Sequence, residues 1–167
     1  MIDISPTRER PRRRFLLLVG ASSVFVIGYV HDYLYFRGGY RGIAPESLAG
    51  ITISRAFALD AIGGFAIAWA LVLSFRFPRH ARMPAFAGVA LAAATLAAYL
   101  ASRTVGLLGF QDDQTSTEAV VAVAAELIAM SSLGVWLARG IAARHDIRVR
   151  HDTACASRTA NRAAREE

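Results

Sequence analysis

Two acids, Asp60 and Glu126, each stand inside a long apolar run, and they are the residues whose type and setting best fit chemistry. A carboxylate facing lipid at the centre of a membrane helix costs ~2.5–3.5 kcal/mol on insertion scales. Both acids are therefore expected to turn toward other helices and to find partners there. His31, Tyr35, Arg55, Tyr99 and Arg103 can serve, with Asp32 beside His31. Protonatable groups with basic and hydroxyl companions inside a span are the parts of a site that binds or passes a proton or a small solute. The same groups can instead fix helix register by hydrogen bonding alone. Arg55 and Asp60 are five residues apart, about 140° around a helix, so each is expected to pair across to a neighbour.

The spacing of small residues says how these groups are to be held. Ala56, Asp60, Gly64 and Ala68 recur every fourth position, which puts Asp60 on a face where helices approach closely. Tyr99 and Arg103 share a face, as do His31 and Tyr35, with Gly28 one turn below.

Four apolar runs must carry these residues, at about 15–36, 51–75, 84–102 and 117–138. At ~1.5 Å per residue the first reaches roughly 33 Å, enough for a hydrocarbon core of about 30 Å. The runs are continuously apolar and do not alternate, which excludes a β-barrel. The fold expected is an all-α four-helix transmembrane bundle. Residues 1–14 read as a disordered basic start and 139–167 as a polar, Arg-rich tail. Ser116 or Thr117 can cap the fourth helix, with Glu118 well placed in its first turn. Asp60 lies nine residues beyond Ile51 and Glu126 nine beyond Thr117, which puts both acids about 13 Å down from the same side.

Of the 167 residues, 54% are hydrophobic and 19% charged, and mean hydropathy is positive. The formal charge of +6 does not point to nucleic acid, because the arginines flank the apolar runs. Five arginines precede the first run, three lie in the middle loop and seven in the tail, against Arg37, Arg41 and Arg103 on the other side. Both termini are thus expected in the cytoplasm of a bacterial plasma membrane protein, with loops 37–50 and 103–116 outside. Arg12-Arg13-Arg14-Phe15-Leu16 is similar to a twin-arginine export signal, but no small-x-small cleavage site follows, so an uncleaved first span is expected. Cys155 is the single cysteine, which rules out an internal disulfide and a cysteine metal cluster.

Tyr29, Gly39 and Tyr40 recur seventy positions later as Tyr99, Gly109 and Phe110, and an acid follows inside the next run in each half. Two hairpins related by an axis along the membrane normal would give this pattern, as would coincidence in apolar sequence. Arg144-His145-Asp146 returns as Arg150-His151-Asp152, which reads as a solvated basic tail near anionic lipid. No other span offers a histidine to pair with His31, so haem is not expected. No ligand spacing supports a metal, and no nucleophile motif, phosphate loop or dinucleotide fingerprint is present.

His31-x-x-Leu34-Tyr35, Gly39-Tyr40-Arg41-Gly42-Ile43 and Ala61-Ile62-Gly63-Gly64 together resemble a group of small four-span membrane proteins from actinobacteria, over residues 15–140. With an acid and a Gly-Gly pair early in span two, the layout is also loosely similar to the DoxX-like family. That likeness implies a helical bundle and, in some members, an accessory role in membrane redox chemistry with quinone. Arg55 and the long tail depart from the pattern.

Three functions follow as expectations. The first is a non-enzymatic protein whose outward-facing polar pocket binds or conducts a proton or small solute through Asp60 and Glu126. The second is a DoxX-like redox accessory subunit with quinone near His31 and Tyr35. The third is a structural subunit whose polar residues serve only helix packing, and a membrane protein partner is a further candidate alongside the lipid bilayer.

Overall fold

The computed structural model describes residues 9–41, 51–107 and 116–166, with side chains from 11 to 142 within those limits. The expectations for residues 1–8, for loop centres 42–50 and 108–115 (Gly109, Phe110, Asp112 and Asp113 included) and for the tail side chains, Cys155 and both Arg-His-Asp triplets among them, lie outside the described residues.

All four apolar runs are helices: α1 Glu9–Phe36, α2 Ile53–Leu73, α3 Arg82–Thr104 and α4 Thr117–Glu166. A 3-10 turn, Pro78–His80, leads into α3. Helix α1 begins six residues ahead of its apolar run, and α4 continues well past the end of its own. Pro11 and Pro84 both fall in a first helical turn, where the missing N–H has no partner to lose. Thr52 caps α2 by accepting from the Arg55 N–H at 3.3 Å. Ser116 caps α4 by accepting from the Ala119 N–H at 3.1 Å, with Glu118 in the first turn.

Each helix has a stretch long and apolar enough to cross a membrane, and only 22% to 44% of the most apolar part of each is buried. Ile62, Trp69 and Phe86 are each about two-thirds exposed, as are many large apolar neighbours on the outer faces. Such a surface would be untenable in water and is ordinary against lipid. Hydroxyls within the spans donate to carbonyls of the preceding turn, as in Ser74 to Ala70 at 2.8 Å and Ser132 to Ile128 at 2.7 Å. That satisfies them without water.

Helix α1 packs against α2 and α4, α3 closes the bundle between those two, and the core is small-residue contact around a few large side chains. Gly28 and Gly64 bring the α1 and α2 backbones together: a Cβ on Gly64 would lie 2.7 Å from Gly28 Cα. Leu133 of α4 fills the space that side chains on Gly20 and Gly88 would need. At the end where α1 and α3 begin, the Arg82 guanidinium donates to the Gly140 carbonyl at 3.1 Å and Arg13 lies 5.3 Å from the Trp136 ring centroid. The opposite end, where α1 and α3 finish and α2 and α4 start, carries the polar residues.

Candidate functional site

At that opposite end the helices part around a cavity of about 130 Å³. His31 enters it from α1, Asp60 from α2, Thr95, Tyr99 and Ser102 from α3, and Glu126 from α4. The floor follows from the glycine crossing. His31 stands three residues beyond Gly28 and Asp60 four before Gly64, so each is about one turn above the point where the backbones touch.

His31 Nε2 lies 3.9 Å from Asp60 Oδ2, and His31 Nδ1 lies 2.8 Å from the Ile27 carbonyl. The carbonyl can only accept, so Nδ1 must carry a hydrogen. With Nδ1 so engaged, Nε2 is the ring nitrogen left to face the Asp60 carboxyl. At 3.9 Å the two groups are within ion-pair range but too far apart for a direct hydrogen bond.

Glu126 is 2% exposed, although it sits in a span whose other face meets lipid. Thr95 and Asp60 line the same cavity as Glu126. Thr95 Oγ1 also lies 3.0 and 3.1 Å from the Leu91 and Ala92 carbonyls, which claim its single hydrogen. Glu126 Oε2 has no hydrogen-bond partner among the described residues.

Aromatic rings cover the polar group. Gly39 takes φ +82°, and the Tyr40 N–H reaches back to the Leu34 carbonyl at 3.4 Å, closing α1 with a left-handed turn. That turn lays Tyr40 on Phe57, with ring centroids 4.5 Å apart and planes 25° from parallel. Phe57 in turn lies 5.3 Å from the His31 ring.

Of the residues singled out from sequence, His31, Asp60, Tyr99 and Glu126 line one cavity. Arg55 is exposed at the start of α2, and Arg103 is half-buried beside Ser102. Asp32 is half-buried on α1, and Tyr35 meets Phe36 edge-on at 4.9 Å. None of these four is part of the lining. Thr95, Ser102, Tyr40 and Phe57 were missed. A stripe of hydroxyls at 95, 99 and 102 in an alanine-rich helix could have revealed the first two. Among the described residues no group of three or more His, Cys, Asp or Glu could hold a metal ion.

The fold and its outer surface define the class, a multi-pass membrane protein built as a four-helix bundle. No protein-family model, curated protein or solved structure matches the chain.

Proposed function

We propose that this protein spans a bacterial plasma membrane with both termini in the cytoplasm, and that its cavity opens outward to bind or conduct a proton or small solute. The observation that carries the proposal is the convergence of His31, Asp60 and Glu126 on one cavity from three helices, with the first two 3.9 Å apart. Groups kept only for packing need satisfied hydrogen bonds, yet Glu126 Oε2 makes none among the described residues. The arginine bias toward the termini and the middle loop supports the orientation.

Proton flux in sealed vesicles, followed with a pH-sensitive dye under an imposed gradient, is the test. Asp60→Asn keeps the size of the side chain and removes its titratable carboxyl. Flux should fall to the level of empty vesicles while the protein stays folded, and unchanged flux would reject the proposal.

A second reading draws on the Tyr40–Phe57–His31 stack, whose flat apolar surface beside hydrogen-bonding groups also suits a quinone ring. It agrees with the DoxX-like resemblance. Quinone extracted with the purified protein, and lost in Tyr40→Ala, would favour it.

A further inference from the structure

We infer that the cavity selects a small apolar monocation, a protonated amine borne on one hydrocarbon or aromatic group. The inference rests on the proposal that the cavity binds a solute, and it names the chemical class of that solute.

Charge comes first. Asp60 and Glu126 face the space, and among the described residues no arginine lines it. His31 is already engaged with Asp60 on one side and the Ile27 carbonyl on the other. Glu126 is left as a nearly fully buried acid whose Oε2 meets no donor among the described residues. Such an oxygen needs either its own proton or a cation. A guest with N–H groups and one positive charge supplies both the donor and the compensation. An anion would meet two carboxyl groups instead.

The remaining wall says what the cation carries. Leu34, Ile53, Ala98 and Val123 are apolar, and Tyr40, Phe57 and Tyr99 add ring surface. Ring faces attract cations, most strongly where water is scarce. The volume of about 130 Å³ is close to the roughly 150 Å³ of an apolar cavity that accepts benzene. One ring or a short branched chain therefore fits.

Binding should displace a proton, because cation and proton compete for the same carboxyls. The titratable groups facing them are His31 from α1, Tyr40 just beyond it and Tyr99 from α3.

The experiment is calorimetric titration of the full chain in lipid nanodiscs with benzylammonium, benzyl alcohol and phenylacetate, which share a shape and differ in charge. Benzylammonium should bind at least about tenfold more tightly than benzyl alcohol, and phenylacetate should show no saturable heat. Glu126→Gln should weaken benzylammonium about tenfold or more and leave benzyl alcohol unchanged. Equal affinity for the three probes, or unaltered benzylammonium binding in Glu126→Gln, overturns the inference. If that variant does not fold, Ala98→Leu narrows the cavity from α3 without touching a charge. Loss of benzylammonium binding supports the inference, and retained binding overturns it. Asp60-dependent proton flux without discrimination between benzylammonium and benzyl alcohol sinks this inference alone. Absence of both flux and binding removes the underlying proposal as well.

Discussion

Gly28 and Gly64 face each other where α1 crosses α2, so closely that a methyl group on Gly64 would fall 2.7 Å from the Gly28 Cα. This contact sets the height and separation of His31 and Asp60, one turn above. A pair of larger residues would move the helices apart, and the 3.9 Å approach of imidazole to carboxyl would be lost. The small-residue stripe thus links packing directly to the polar group it supports.

Gly64→Ala should destabilise the bundle by about 1–3 kcal/mol, because the obstructing atoms are backbone and cannot rotate away. Gly63→Ala is the control, since among the described residues the only atom near its Cβ would be a Leu91 methyl at 3.9 Å. Unfolding in mixed detergent measures both. Equal effects at the two positions would show that α1 and α2 do not cross at Gly64.

His31 and Asp60 should be energetically coupled. In a double-mutant cycle of His31→Ala and Asp60→Asn, the interaction is expected at about 0.5–1 kcal/mol, at the low end for contacting residues. Asp60 has 30% of its side chain exposed, which weakens the pair. Additive effects on unfolding free energy would mean that the two side chains do not interact.

Arg82 acts at the far end of the bundle, on the Gly140 carbonyl. Arg82→Ala should cost about 1–2 kcal/mol in unfolding free energy, the usual worth of a charge-assisted hydrogen bond that is only partly buried. Proton flux per folded molecule should not change. A loss of flux would mean that the two ends are coupled.

Orientation can be read with reporters. A fluorescent protein that folds only in the cytoplasm should glow when fused after Glu167, and an alkaline phosphatase fused there should be inactive. An active phosphatase would reverse the proposed topology and turn the cavity toward the cytoplasm.

The helices themselves were legible in the chain. Four continuous apolar runs, two capped by Thr52 and Ser116, leave the backbone no other means of satisfying its hydrogen bonds in lipid. The stripe of Ala56, Asp60, Gly64 and Ala68 likewise announced a packed face, because side chains four apart stand above one another on a helix. Which partner each acid meets was not legible, because it depends on the rotation of one helix about another. Arg55 and Arg103 have the charge to partner an acid but stand outside the cavity lining, whereas His31 faces Asp60 because the close Gly28–Gly64 contact sets the height of α1 against α2. Thr95 gains its place beside Glu126 only when α3 is set against α4. Local periodicity fixes which residues share a face. Close packing between faces decides which of them meet, and that information is not held in any one segment of the sequence.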